Sequence, residues 1–589
     1  MFVVAITRTP APAFAHDRIP LTTTSVELGP WTVTAATDGR LARCVRGGIT
    51  LEVCESPVNS SSAADVSPLS RVTIDLQTRL VVIDKPMLSG RPIFYHLGAD
   101  GSFVCATHVS LMRAAGVKLE AAEEHLPEFF AYRLVAPPAT LWQNIRQLLP
   151  STRASVAIGD GACRIVSVSN VVFPPSAATG KSAAVTAAGA DVLGGLEQTL
   201  APFAGQPERV AVLLSGGVDS SILYRLAAAR LGTRSSYSAS FLFDTRGIEE
   251  EYARSAAAAM QSEHHVHTIT TADYLASTVE AIDEAEEPIV VEHSGAFTSL
   301  FRAGIPTTQD VILQGQGADC FFGLKHHHLL MLQERYGPLW RVLASPGVYH
   351  LLRRASHATG RFGAAVEMVN RSRRGRLAID DPRHLIWSLN QYGDIGWACA
   401  HFRVTPEAMI ANRLEALSPY RSLSDFDLIT LLDLITDVAA LQNIWSKIGE
   451  RHGRTLIYNF SSPAVIDAAA RLDWPVKIAE PKAALRDVAR RIGVPEFILT
   501  RPKSGFGISG RDWALPGGLF QPLVEVAARA FDRDILRQHQ STDISKRFAL
   551  WNMVNFAIWK RRFIDGDSLE SLLGEVRDAA GRQAPGGRA

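Results

Sequence analysis

The sequence predicts an α/β protein of two domains: an α+β first half, then a parallel-sheet half whose C-terminal part is helical. Three observations carry this. At 589 residues the chain exceeds what one compact core holds. Between residues 174 and 195 the composition turns to Ala, Ser, Thr and Gly, which marks a linker. Beyond it, short apolar runs alternate with helical patterns, as in successive βα units. The expected division is 1–173, a linker at 174–195, a second domain at 196–576 and a disordered tail at 577–589.

In the first half, Val72–Leu76 and Leu80–Asp84 read as strands. Gly98-Ala99-Asp100-Gly101 reads as the hairpin turn before a strand at Ser102–Ala106. In the second half the expected strands are Val210–Leu214, Tyr237–Leu242, His265–Ile269 and Val311–Gln314. From Leu385 to Phe563 helix dominates, with Leu428–Ile435 strongly apolar.

Composition excludes several classes. A net charge of +1 gives no global pull toward nucleic acid or membrane. The six cysteines lie far apart without a C-x-x-C pair, which argues against a disulfide framework or zinc site and for the reducing cytoplasm. The run Phe2–Ile6 is too short for a signal peptide, and no uninterrupted apolar stretch reaches bilayer length.

The most informative segment is Leu214-Ser215-Gly216-Gly217-Val218-Asp219-Ser220-Ser221. It joins an apolar strand to a helical pattern through a glycine turn. Glycines let backbone amides approach a ligand, serines add hydroxyls, and a helix N-terminus favours an anion. A carboxylate beside phosphate calls for a cation between them, most simply Mg²⁺. The loop resembles the pyrophosphate loop of ATP pyrophosphatases, which form acyl-adenylates and release pyrophosphate. That resemblance implies ATP and Mg²⁺, with Ser215, Gly216, Gly217, Ser220 and Ser221 on the pyrophosphate.

Two further segments extend it, Gly315-Gln316-Gly317-Ala318-Asp319 with Phe321-Phe322-Gly323, and Arg501-Pro502-Lys503-Ser504-Gly505-Phe506-Gly507. Upstream, Asp84 to Tyr95, Ala106-Thr107-His108 and Thr140-Leu141-Trp142 resemble the glutaminase-like domain of glutamine-dependent asparagine synthetases. The resemblance spans roughly residues 70–565. It implies an Ntn-type first domain and an adenine-nucleotide α-hydrolase-like synthetase domain. Asp219 and Asp319 would hold Mg²⁺, Gly315 and Gly317 would shape the nucleotide site, and Lys503 would neutralise transition-state charge, supported by Arg501.

Two departures narrow the reading. Glutaminase activity in that family needs a cysteine after the initiator methionine; here that position is Phe2, which cannot be a thiolate nucleophile. The acyl-acceptor position holds Glu in asparagine synthetases and Tyr, paired with a downstream Glu, in β-lactam synthetases. Here it is Gln316, a neutral amide, and the downstream position matches Thr455. The branch with a silent glutaminase half is the lasso-peptide cyclases, which join a precursor peptide's Asp or Glu side chain to its own N-terminal amine. That implies a precursor peptide as substrate, with a leader peptidase and a leader-binding protein as partners. An ammonia-dependent asparagine synthetase, another small-molecule amide ligase or lactam synthetase, and a silent scaffold are the alternatives.

Other features stay open. Asp244, Arg246, Glu249, Glu250 and Glu251 either shape the amine or nucleotide site or form an acidic helix start. Glu286-Glu287-Pro288 resembles a segment of the family's synthetase domain. His326-His327-His328 suits a loop or helix surface better than a metal, since adjacent residues do not share a helix face. The basic run from Arg353 to Arg376 is either a solvated face or a receiver for an acidic peptide.

Overall fold

A computed structural model describes residues 1–8, 21–38, 41–44, 50–54, 70–86, 88, 91–170, 184–243, 248–323, 327, 330–331, 342–343, 345–359, 383–387, 392–501 and 513–583. Lys503, Asp244, Arg246, His326, His328 and most of the Arg353–Arg376 run lie outside the described residues or have side chains outside them.

The first domain is two antiparallel sheets face to face. Its strands are β1 (Phe2–Thr7), β2 (Thr22–Leu28), β3 (Trp31–Thr37), β4 (Leu41–Cys44), β5 (Thr50–Cys54) and β6 (Arg71–Asp75). They continue as β7 (Leu80–Lys85), β8 (Phe94–Leu97), β9 (Phe103–Ala106), β10 (Arg146–Gln147), β11 (Thr152–Ile158) and β12 (Cys163–Asn170). One sheet runs β10-β8-β9-β1-β3-β2, the other β12-β11-β7-β6-β5-β4. β1 shows why a period of two builds this. Phe2, Val4 and Ile6 enter the core between the sheets, while Val3 and Ala5 face the core continuous with the second domain. The Gly98–Gly101 turn forms as expected, with Gly98 N donating to Ser102 O at 2.9 Å.

The second domain holds a parallel sheet of β13 (Val210–Leu213), β14 (Ser235–Phe241), β15 (Glu263–Ile269), β16 (Val311–Gln314) and β17 (Thr455–Tyr458), in the order β15-β14-β13-β16-β17. Strand order reverses between β13 and β16, which is where such sheets collect ligands beyond their carboxyl ends. After β13 comes α1 (Val218–Leu231), after β14 comes α2 (Ile248–Ala259), then α3 (Ser294–Ser299), and after β16 the short α4 (Ala318–Phe322).

The helical region is dominated by α5 (Asp425–Arg451), whose middle residues Leu434–Val438 widen into a π turn. By length and composition α5 would cross a bilayer, but 78% of its apolar window is buried, so here it is a core helix. Its last turn joins the domains. Glu450 accepts from Arg91 and lies 3.3 Å from His108 Nε2, both in the first domain. Lys447 donates to Ala285 O at 2.9 Å and sits over the Phe94 ring. The last helix used below is α6 (Ala483–Arg491).

Two expectations about connecting segments need correcting. The second half of the expected linker is helical from Val185 to Leu200, because Ala188, Val192, Leu196 and Leu200 recur every four residues and are buried. Part of the expected tail is helical too. Leu569–Gln583 is one helix that buries Leu572, Val576 and Ala579, and only 584–589 lie outside the described residues.

Candidate active site

The loop after β13 turns sharply at Gly216, φ 69°, where a Cβ would meet Tyr252 O at 2.4 Å; only glycine fits. Leu214 N, at the strand's end, donates to Tyr237 O at 2.9 Å. Ser215 N donates to Ser220 Oγ at 3.2 Å, and Ser220 Oγ donates to Gly217 O at 3.2 Å. These bonds close the loop and leave the start of α1, at Val218, pointed into the crevice. Ser221 is fully buried and does not line the cavity.

The loop after β16 meets this one. A Cβ on Gly315 would lie 3.2 Å from Asp219 Cβ, so the two glycine segments touch. Gly317 adopts φ 100°, where a Cβ would meet Ser461 Oγ at 2.6 Å, and that turn starts α4 with Asp319 in its first turn. Asp219 and Asp319 are therefore neighbours across the switch point, as the motifs imply.

Between them stands a residue the motifs do not name. Lys482 Nζ lies 2.6 Å from Asp219 Oδ2 and 2.7 Å from Asp319 Oδ1. Burial opposes its charge, but the two carboxylates outweigh burial and hold the ammonium above its ordinary value. Lys482 caps α6 in the left-handed region, φ 62°, and its N–H donates to Phe322 O at 2.9 Å at the end of α4. A non-glycine residue there is uncommon and needs support from its surroundings.

Arg501 lies at the same loop. Its guanidinium is 4.2 Å over the Tyr252 ring, a Cβ on Gly217 would sit 3.9 Å from its Nη2, and its buried Nη1 has no hydrogen-bond partner. Asp219 Oδ1 is likewise buried and unpartnered. An orphaned carboxylate oxygen and an orphaned guanidinium N–H flank a glycine loop at a helix start. That donor set fits a magnesium-bound triphosphate.

The loops open on a cavity of about 420 Å³. One end is lined by Ser215, Gly217, Asp219, Ser220 and Asp319, the other by Phe297, Leu300 and Trp445, with Gln316 and Glu249 also in the wall. Trp445 comes from α5, and its Nε1 donates to Ser294 Oγ at 3.1 Å. His293 is half-buried beside it; loss of solvation, then Arg133, pushes its imidazole down to about 3, so it is neutral.

Gln316 lines the cavity wall, and so does Glu249 on α2. Thr455 does not line the cavity. It pairs with Val311 at the far end of β17, and the ligand end of that strand is Tyr458, paired with Gln314. Glu287 takes an ion pair with Lys447 at 3.2 Å and Glu286 accepts from Ser110 N at 3.1 Å; both work at the domain junction. His327 is fully buried, with Nε2 2.9 Å from Thr430 Oγ1 and its ring stacked on Trp474, a packing role.

Comparison with known proteins agrees with this geometry. The chain is 24% identical over 528 residues, 83% of its own length and 76% of theirs, to proteins of Mycobacterium bovis and Mycobacterium tuberculosis. Each of them carries the name "Putative asparagine synthetase (glutamine-hydrolyzing)". Residues 196–561, the span that holds both glycine loops, Lys482 and Arg501, match the asparagine synthase family. The chain belongs to that family of ATP-dependent carbon–nitrogen ligases.

Proposed function

We propose that this protein closes an amide bond within a precursor peptide, as lasso-peptide cyclases do. ATP would activate an Asp or Glu side-chain carboxylate as its AMP ester with loss of pyrophosphate. The peptide's N-terminal amine would then displace AMP and close a macrolactam. The observation that carries this reading is Gln316, a neutral amide in the cavity wall beside an otherwise complete set of charged groups. With a neutral amide at position 316 in place of a base, positioning supplies much of the rate, and tethering amine and ester in one molecule is worth about 7–11 kcal/mol.

The groups around the two glycine loops divide the work. Ser215, Gly217, Ser220 and Arg501 hold the phosphates. Asp219 and Asp319 would hold Mg²⁺, which supplies charge neutralisation on the phosphate oxygens. Lys482 faces the charge that develops during transfer, the role expected of Lys503 from its motif. In the first domain the side chain at position 2 is a fully buried phenyl ring, so that domain serves as a scaffold. The proposal extends to a cytoplasmic setting, a leader peptidase and a leader-binding protein as partners, and no nucleic acid or membrane.

Incubating the protein with ATP, Mg²⁺ and a synthetic peptide bearing a free N-terminus and an internal Asp or Glu tests this. The expected result is a product lighter by one water, with AMP and pyrophosphate. Conversion of free aspartate and ammonia to asparagine with no peptide product would establish the second reading, which the named relatives favour. Absence of any ATP–pyrophosphate exchange would leave only a scaffold.

A further inference from the structure

The cavity has two unlike ends. Among the described residues that line it the charged ones are Asp219, Glu249 and Asp319. All three belong with the glycine loops. Lys482 joins Asp219 to Asp319, and Glu249 is one turn before Ala253, whose backbone nitrogen would lie 3.0 Å from a Cβ on Gly216. The other end comes from α3, the turn after it and α5. It presents Ala296, Phe297, Leu300 and Trp445, beside the neutral imidazole of His293. The Trp445 ring packs 4.7 Å from Phe297 and 5.6 Å from His293, and its one polar atom, Nε1, donates to Ser294 Oγ. What Trp445 offers the cavity is therefore apolar ring surface.

Its place along α5 says which part of a ligand meets it. Gln442, three residues earlier on the same helix, has its Nε2 3.8 Å from where a Cβ on Gly317 would stand. Residues three apart in a helix are neighbours on one face, so Trp445 borders the Gly315–Gly317 loop that carries Gln316. Beside the other glycine loop, the ends of β13 and β14 line the cavity with Leu214, Ser238 and Ala239, where a nucleoside joined to phosphates on that loop fits. The Trp445 end is left for the acyl substrate. A free amino acid would bring a charged α-amino group and α-carboxylate to rings that pair neither. A residue inside a peptide brings neutral amides, and its neighbour brings a side chain that covers the rings.

Resting on the peptide reading above, we propose that Trp445, with Phe297, is a specificity-determining residue. The two rings receive a bulky apolar side chain that neighbours the Asp or Glu to be activated, and so select peptides in which the acid stands beside such a residue.

The probes are blocked dipeptides, N-acetylated and closed by a C-terminal methylamide, that join Asp or Glu to Leu or to Ser in either order. Binding to the full chain is measured calorimetrically with Mg²⁺ and a non-hydrolysable ATP analogue. At least one Leu probe should bind the native protein about 10-fold more tightly than its Ser counterpart, as burial of much of a leucine side chain gives. Trp445→Ala should bring that ratio near one with binding of the ATP analogue unchanged, and Trp445→Phe should keep most of it. Trp445 sits in a core helix, so the half-buried Phe297 supplies a second variant. Phe297→Ala should lower the ratio about 3-fold. Equal binding of every Leu and Ser pair, no binding of any probe, or a ratio that survives both alanine variants would overturn the proposal. So would loss of ATP-analogue binding in Trp445→Ala, which would give the rings to the nucleobase. ATP–pyrophosphate exchange with the same probes separates this from the peptide-ligase reading. Exchange that does not distinguish Leu from Ser probes sinks the specificity role alone. A Leu preference that depends on Trp445 without exchange supports the subsite and sinks the peptide-ligase reading.

Discussion

Lys482 and Asp219 are 263 positions apart in sequence, yet Nζ and Oδ2 meet at 2.6 Å across the switch point of the sheet. The backbone of Lys482 is held left-handed to make this meeting. Such a contact, at the centre of a phosphate-type site, has the form of an electrostatic device rather than a surface ion pair.

Lys482→Ala is expected to lower turnover about 10²–10³-fold, roughly 2.7–4 kcal/mol, with little change in ATP affinity. Lys482→Arg should rescue poorly, because a planar fork does not replace a compact ammonium. Single-turnover kinetics on this variant and on Lys503→Ala, side by side, show which lysine acts on the transition state. Normal turnover in Lys482→Ala would make its place between the carboxylates structural.

Asp219→Asn and Asp319→Asn should each abolish Mg²⁺-dependent AMP formation and leave the circular dichroism spectrum intact. Each loses a charged ligand where magnesium needs oxygen anions. Pyrophosphate release, followed while Mg²⁺ is titrated, is the measurement. Near-native release in both variants would take them out of the site.

Glutamine should yield no glutamate, because the side chain at position 2 lies between the two sheets of the first domain. Phe2→Cys should not restore hydrolysis. Cys105, in the same layer, has its thiol pushed up to about 12 by burial, and a thiol at position 2 would enter that environment. Phe2→Ala should cost about 3–5 kcal/mol of stability, read from denaturant unfolding. Glutamate release by the native chain or by Phe2→Cys would refute this.

The pH dependence of His293 has a definite sign. Its pKa in the folded protein, about 3, is below the ordinary value of 6.5, so the unfolded chain binds the extra proton between them. Stability from this group is therefore complete above pH 6.5 and is lost as pH falls toward 3. His293→Phe should narrow the stability loss between pH 7 and pH 4.5 in chemical denaturation, and the activity profile from pH 6 to 8 should not move. An activity change in that range would show His293 titrating during the reaction.

What the sequence revealed follows from how local each feature is. Ser215 to Ser221 is legible because strand, turn and helix start are contiguous, and Gly216 marks a backbone that must turn sharply. Lys482 is silent in sequence. It sits in Glu480-Pro481-Lys482 without a glycine signature, and what makes it functional is its bond to Phe322 O and the approach of two distant loops. The downstream position read as Thr455 lies on β17 but at the end away from the cavity. Strand polarity puts Tyr458, paired with Gln314, at the ligand end, and the identity of one residue carries no polarity signal. The helix at Val185–Leu200 was hidden by its own composition: its small residues read as a linker, although Ala188, Val192, Leu196 and Leu200 recur at helical spacing on a buried face.

The helix α5 carries Trp445 into the cavity wall and, five residues on, Glu450 into the grip of Arg91 and His108. This limits how the chain can be shortened. A first domain that, among the described residues, lends no side chain to the cavity invites deletion, by a genome or by an engineer seeking a smaller ligase. Cutting it away would leave the Glu450 carboxylate without its partners and bare the Trp559 ring that packs on Trp142. The strain would run along one rigid helix to the substrate wall. The first domain gives the cavity no described side chain, yet its volume is held in place by the helix that does.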